Sequence, residues 1–337
     1  MQRLFKLDIN SLHLEIGANG ETDDIVRSDT LFSAIVEASR KLHGRETADY
    51  IIELANNGGI KITSAFPFFE DELFFPLPLN LFVECKDYVL QKEFKKIRFI
   101  SYKLWERLRK GENAFAQYGD YERFKNLFSN GCLFDIEDKA AANGNAPKIY
   151  EKIEVPHTVI DRITNGTNIF YKTELWFNKN AGLFFIADVH DDFMNKFESI
   201  VSFLGDEGIG ADRTSGKGFF KLKTLDFEFG ELPNSDSILL LSLYLPTKEE
   251  IENIVPHKSY YKLLQRKGWI SNSTLNRKST FMLTEGSTMK LKNSAELKGE
   301  AIKVLSKENY PELDFDIYRS GIAFGVPVFG GENEYKI

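Results

Sequence analysis

Cysteine is almost missing: only Cys85 and Cys132 occur, far apart and without CxxC spacing, which excludes a disulfide framework and a thiolate metal centre. Both read as core thiols. No hydrophobic run is long enough to span a membrane, and the opening MQRLFKLDINS turns polar too soon for a secretion signal, so a cytoplasmic location with no membrane partner is expected. An excess of basic residues is also missing. The net charge of -7 excludes a protein coated in nucleic acid, because phosphate contacts draw on local lysine and arginine, and any RNA contact is confined to a patch. There is no GxSxG, Leu42 stands where an SxxK motif starting at Ser39 needs lysine, and no internal repeat is evident.

With 42% hydrophobic and 28% charged residues the chain can bury a core and still carry a polar surface, so it is globular. At 337 residues it exceeds one ordinary domain of about 100–200 residues, which favours two packed units. Phe5, Leu7 and Ile9 alternate, then Leu12, Leu14 and Ile16 on the opposite parity, which reads as a strand with a bulge near Asn10. After the loop GANGETDDIVR, Ser28 is placed to cap a helix carrying Leu31, Ile35, Ala38 and Leu42 and ending at Gly44. ITSAFPFFEDELFFPLPLNLF reads as a short hairpin, which its prolines favour for a sheet edge. Lysines and arginines interleave with Phe94, Phe99, Tyr102 and Trp105 from Gln91 to Lys110, read as helix, and the loop AAANGNAP follows. Strands are expected at EKIEVPHTVIDR, NIFYKTELWF and GLFFIADV, then a helix capped by Asp191 or Asp192, then the strand FFKLKTLDFEF. This order suits an α+β, ferredoxin-like (RRM-like) fold with insertions. A linker around Gly230 to Asp236 divides residues 1–232 from 233–337. The second unit is expected to mix strands (SILLLSLYL, SYYKLL, STFML, GIAFGVPVF) with helical stretches at KEEIENI and NSAELKGEAIKVL, as a degraded module of the same kind.

The stretch GIGADRTSGKG fits neither nucleotide fingerprint. GxGxxG needs glycine where Arg213 stands and should open a helix, whereas GxxxxGK[ST] needs glycine at Ala211 and a hydroxyl at Gly218. Two readings remain open. In one, the glycines adopt positive φ and turn amides toward an anion, with Arg213 and Lys217 supplying charge, which suits a phosphodiester. In the other, the loop is an ordinary helix-to-strand connection.

Other candidates carry similar alternatives. VPHTVIDRITNGT places His157, Arg162, Thr164 and Asn165 at a strand end and turn, either for binding or for local pairing. Trp105 in the basic stretch either stacks on bases or lies in a core under solvated lysines. Asp188, His190, Asp191 and Asp192 have metal-ligand chemistry but lie where a helix needs a cap, so no metal or cofactor is expected. Asp23, Asp24 and His43 are candidates for acid–base chemistry on RNA, with no partner group identifiable nearby.

Read together, RSDTLFSAIVEA, SAFPFFEDELFFPLPL, KKIRFIS, PHTVIDRITNGT, GIGADRTSGKGFF and YRSGIAFGVPVF resemble the RAMP superfamily. More narrowly they resemble the fourth subunit of the Csm effector complex of type III-A CRISPR antiviral systems. The resemblance implies two ferredoxin-like modules that hold the 5′ handle of CRISPR RNA. It also implies two neighbours, a large polymerase-like and DNase subunit and a repeating backbone subunit, with catalysis residing in them and not in this chain. By position, handle contacts would fall on Gly208, Gly210, Arg213, Ser215, Gly216 and Lys217, on His157, Asp161, Arg162 and Thr164, and on Ser28 and Thr30. Ala211 departs from a glycine common among relatives, and Ser320 interrupts a terminal pattern. The alternative is a metal-independent RAMP endoribonuclease that trims precursor RNA with His43 as acid or base.

Overall fold

The computed structural model describes residues 1–16, 21–141, 144–231, 235–268, 275–293, 296–310, 313–330 and 333–336. Parts of the expected loops GANGETDDIVR and AAANGNAP, and residues 232–234 of the expected linker, lie outside the described residues.

The first strand, β1 (Gln2–Ile9), has Leu4, Phe5, Leu7 and Ile9 buried, so it is an interior strand. The chain then changes sheets. Asn10 is not a bulge: β2 (Ser11–Leu12) pairs with a different ladder, Leu12 opposite Leu175. Helix α1 (Ser28–His43) buries Leu31, Phe32, Ile35 and Ala38, but Leu42 in its last turn is exposed. Ser28 is the first helical residue and not the cap; Arg27 holds that position without a side-chain bond. A second helix, α2 (Arg45–Asn56), leads to β3 (Ile60–Ile62).

The proline-rich hairpin forms β4 (Phe66–Phe69) and β5 (Glu72–Pro76), turning at Glu70 with φ 52°. It is central and not at an edge. Pro67 is tolerated there because β4 meets β5 only at Phe68 and Phe69, so no β5 residue stands opposite the imide nitrogen. The stretch 91–110 breaks into α3 (Tyr88–Phe94), β6 (Phe99–Ser101) and α4 (Tyr102–Arg109). Phe99 and Ile100 are buried, and their burial in the sheet overrides helical propensity. Trp105 is buried too, stacked on Phe75 at 4.7 Å, so no base can stack on it. Next come α5 (Tyr121–Leu127), the short strands β7 (Phe128–Ser129) and β8 (Cys132–Leu133), and a long hairpin of β9 (Tyr150–Ile160) and β10 (Thr167–Phe177). Strand β11 (Ala181–Val189), helix α6 (Asp191–Glu207) and β12 (Phe220–Asp226) complete the first unit. His190 is the N-cap residue of α6, with Asp191 and Asp192 in its first turn, where carboxylates favour the positive end of the helix dipole.

These strands form a sheet in the order β7-β8-β6-β5-β4-β11-β1-β12, with β3 also on β11. Phe5 pairs with Phe185 on one side and Thr224 on the other, and its ring stacks on Phe185 at 4.8 Å. Helices α1 and α6 pack side by side against the sheet, Phe197 meeting Phe5 edge-on. The architecture is α+β.

The second unit is strand-rich: β13 (Ser237–Leu240), α7 (Lys248–Asn253), β14 (Leu263–Arg266), β15 (Thr280–Leu283), β16 (Thr288–Lys290), β17 (Ala301–Leu305), β18 (Ile317–Ser320) and β19 (Gly325–Pro327). NSAELKGEAIKVL yields no helix among the described residues. Its end forms β17, whose buried Ala301, Val304 and Leu305 face β18 and the core. The units share one core, since Leu239, Leu241, Ile322, Phe324, Val326 and Val328 belong to the cluster that contains β1 and β11. Arg109, 1% exposed, ties them together. It forks onto Glu106, donates to Pro327 O at 3.2 Å and to Gly230 O, and lies against the Trp105 and Phe229 rings. No helix among the described residues is long and apolar enough to cross a membrane.

One carboxyl in this frame has a testable pH signature. Burial and the adjacent Asp138 carboxylate push Glu72 up to about 7. Between the ordinary 4.5 and that value the folded chain holds a proton that the unfolded chain has released. Stability therefore falls as pH rises through that window. Glu72→Gln should flatten the slope by roughly 1–2 kcal/mol, solvent screening included, when urea unfolding is compared at pH 5 and pH 8.

Candidate nucleic-acid interface

The glycine loop leaves α6 at Gly208 and enters β12 at Phe220. Gly208, Gly210, Gly216 and Gly218 all take positive φ, as does Asp212 at 57°. A Cβ at Gly210 would meet His13 O at 2.5 Å, and one at Gly218 would meet Ile209 O at 1.9 Å. Close backbone approach to β2 and its neighbours therefore requires these glycines. The amides agree: Ile209 donates to Gly218 O, Ala211 to His13 O and Gly218 to Ser11 O, at 2.8–2.9 Å. Those amides are spent inside the protein and do not cradle an anion. Only at Gly216, beyond the short 3₁₀ turn Arg213–Ser215, does the loop meet open space, and Thr214, Ser215 and Gly216 are exposed there.

One face of the β9–β10 hairpin closes over this loop. The period-2 alternation of β10 puts Phe170, Lys172, Glu174 and Trp176 on the same side, opposite Ile153, Val155 and His157 of β9. Lys172 Nζ donates to both Asp212 oxygens at 2.8 and 2.9 Å. Buried His13 bonds Thr173 O through Nδ1 at 2.8 Å and brings Nε2 to 3.9 Å from Asp212. Burial pushes the Asp212 carboxyl up, but Lys172, His13 and His157 outweigh it and hold the group below the usual carboxylate range. Lys217 Nζ donates to Glu174 at 2.6 Å, lies 4.2 Å above the Trp176 ring, and shares Glu174 with Trp176 Nε1. Its charge is already matched by a buried carboxylate. Arg213 has no ion-pair partner among the described residues and is the loop's free cation.

The hairpin continues outward as strands of eleven residues each. Val159, Ile160, Ile169 and Tyr171 are exposed, and Ile163 at the tip is 93% exposed. Asp161 accepts from Ile163 N at 2.8 Å and Thr164 N at 3.3 Å, and Thr164 Oγ1 accepts from Gly166 N. These two residues build the turn, and the backbone bonds hold the Asp161 carboxyl low. Arg162 is left exposed at the tip, without an ion pair among the described residues. His157 stacks on Phe170 at 5.4 Å, and its shielded Nε2 has no hydrogen-bond partner among the described residues.

Ser28 and Thr30 fall elsewhere. Ser28 is 2% exposed and accepts from Leu243 N, while Thr30 accepts from Arg266, so both serve contact between the units. Asp23 and Asp24 are held by Arg27, Arg98 and Lys152. His43 is exposed at the end of α1. Asp188 and Asp191 pair with the Met1 amino group, and no metal-holding cluster occurs among the described residues. Sequence reading missed His13, Lys172, Glu174 and Trp176. The signal for the last three was present as alternation in YKTELW.

The model described as "CRISPR Csm4 C-terminal domain" matches residues 233–328. The chain is 30% identical over 272 residues to "CRISPR system Cms protein Csm4" of Thermococcus onnurineus, covering 80% of this chain and 84% of that one. It is 28% identical over 326 residues to the protein of the same name from Methanocaldococcus jannaschii, covering 85% of each. The fold is similar to a chain in the "Crystal structure of Csm3-Csm4 subcomplex in the type III-A CRISPR-Cas interference complex", with a TM-score of 0.67 at 21% identity, covering 97% of this chain and 99% of that one. A chain in the "Crystal structure of Csm1-Csm4 cassette in complex with pppApA" gives 0.62 at 20% identity, covering 98% and 99%.

Proposed function

The chain belongs to the Csm4 family of type III CRISPR Csm complexes, and on that premise we propose that it is a non-catalytic subunit that grips the 5′ handle of CRISPR RNA. As a scaffold in antiviral defence it would link a Csm1-type large subunit to Csm3-type backbone subunits, the partners named with the similar chains. Its place of work is the cytoplasm. Residues 1–232 are read as a ferredoxin-like RAMP module with insertions. Its support is the order β12-β1-β11 with β3 and β4 on β11, and the paired helices α1 and α6. Residues 233–337 are read as the smaller module, built around β13 between β16 and β19.

The RNA reading rests on Arg213, half-buried next to the exposed Thr214, Ser215 and Gly216, without an ion-pair partner among the described residues and beside a hairpin face of Lys172, His157 and Trp176. A backbone phosphate at Arg213 would leave the strand beside this aromatic and basic face. Lys217 acts through Glu174, orienting Trp176 more than neutralising phosphate. The endoribonuclease alternative has no comparable support: His43, its expected acid or base, stands exposed at the end of α1, and Asp23 and Asp24 are held in ion pairs.

Arg213→Ala in the assembled complex is expected to weaken binding of the handle RNA about ten-fold and to reduce the salt slope of log affinity by about one, with folding unchanged. Fluorescence anisotropy across a salt series reads both. Unchanged affinity and slope would remove the loop from the RNA path.

A further inference from the structure

We infer that Arg266, Arg277 and Arg319 form a second binding site, for a phosphate group of a nucleic-acid strand, at the N-terminus of α1 where the two units meet. The inference rests on the RNA reading for the identity of the strand, but not for the charge that calls for an anion. In a chain of net charge -7, the segment between Glu252 and Glu285 holds no carboxylate, yet it holds Lys258, Lys262, Arg266, Lys267, Arg277 and Lys278.

Folding concentrates that charge. Pairing of β14 with β15 sets Arg266 opposite Thr280, and Arg277 N donates to Gly268 O, which brings Arg266 and Arg277 to one end of the ladder. Arg319 of β18 reaches the same end from the core side. It is 2% exposed, and its Nη1 donates to Arg266 O at 2.6 Å, Lys278 O at 2.8 Å and Thr280 Oγ1 at 3.3 Å.

Among the described residues a single carboxylate, Asp29, faces these three guanidiniums. Arg266 grips it with two bonds of 2.9 Å, and Arg319 Nε lies 3.8 Å from it. Among the described residues three cations against one anion leave two positive charges over, and the α1 N-terminus adds its partial charge of the same sign. Arg277 is half-buried with no carboxylate within 4 Å among the described residues, and the Nε atoms of Arg277 and Arg319 have no hydrogen-bond partner among them. Burial pushes both groups below the ordinary arginine value, Arg319 to about 10, and Asp29 offsets only part of this. Such an arrangement is short of an acceptor-rich anion. Phosphate supplies both charge and oxygens matched to guanidinium forks, and the partial exposure of Arg266 and Arg277 leaves the site open on one side.

Arg277→Gln tests this in the full chain, with Arg277→Lys keeping the charge and losing the fork. Two probes are used: a repeat-derived oligoribonucleotide followed by anisotropy across a salt series, and inorganic phosphate followed by thermal shift. The expected result is about ten-fold weaker RNA binding and a salt slope smaller by about one for Arg277→Gln, with partial recovery for Arg277→Lys. Weakening by Arg277→Gln with Arg213→Ala silent would sink the loop reading and leave this one standing. A phosphate-induced thermal shift lost in Arg277→Gln while RNA affinity holds would overturn the strand as the source, leaving free phosphate. If Arg277→Gln changed neither readout, the site itself would be refuted.

Discussion

Replacing Arg109 with alanine should lower the stability of the folded chain by about 3–5 kcal/mol, read as a drop in the urea midpoint. The size follows from what is left behind. Glu106 keeps a largely shielded carboxylate with its guanidinium gone, and the Pro327 and Gly230 carbonyls lose their donor. A void also opens beside Trp105 and Phe229, rings that sit in the sheet's aromatic core with Phe75. Because Arg109 reaches the second unit at Pro327 and the connecting segment at Gly230, the damage should appear as loosened packing between units as well as lost stability. Arg109→Lys should fall between, since an ammonium keeps the charge but cannot make the fork. Removing Glu106 as well should recover part of the loss, because a shielded charge left with only Lys110, 3.9 Å away, is then gone. A loss below about 1 kcal/mol for Arg109→Ala would show that the units are held by apolar packing alone.

The parts of this fold written as local periodicity were legible in the sequence. Alternation in EKIEVPHTVIDR and NIFYKTELWF marks β9 and β10, and helical spacing of Leu31, Ile35 and Ala38 marks α1. What could not be read was competition between distant segments. The stretch 91–110 has helical composition, but β6 is claimed by β5 on one side and β8 on the other, and two ladders outweigh local propensity. The β4–β5 hairpin looked like an edge because proline lacks a donor, yet the register leaves Pro67 without a β5 partner. The candidate site shows the same limit. The positive-φ glycines were readable as glycines, but their neighbours are His13 O and Ile209 O, which no local pattern reveals. Lys217 looked free for phosphate until the fold brought Glu174, 43 positions away, to meet it.

The glycines of this loop differ in what a side chain there would meet. A Cβ at Gly218 would lie 1.9 Å from Ile209 O and 2.9 Å from Ile209 N and C, at a φ of +79° that L-residues avoid. The obstacle is backbone, so no rotamer change relieves it. Gly218 also donates to Ser11 O and accepts from Ile209 N, so shifting it unfastens the loop from β2 and breaks the bond that closes the loop on itself. Gly218→Ala should therefore cost about 3 kcal/mol or more. RNA affinity should fall at least as far as in Arg213→Ala, since Arg213 and Lys217 move with the loop. Gly216→Ala provides the contrast. Nothing lies within 4 Å of its Cβ position, so only the left-handed backbone is penalised, by about 1–2 kcal/mol. Urea unfolding and RNA anisotropy on both variants separate two roles for the loop. If Gly218→Ala loses both stability and RNA while Gly216→Ala loses little of either, the glycines serve the fold and Arg213 alone meets the strand. If Gly216→Ala instead loses RNA affinity at near-normal stability, the open face at Gly216 is where the RNA backbone runs against the loop.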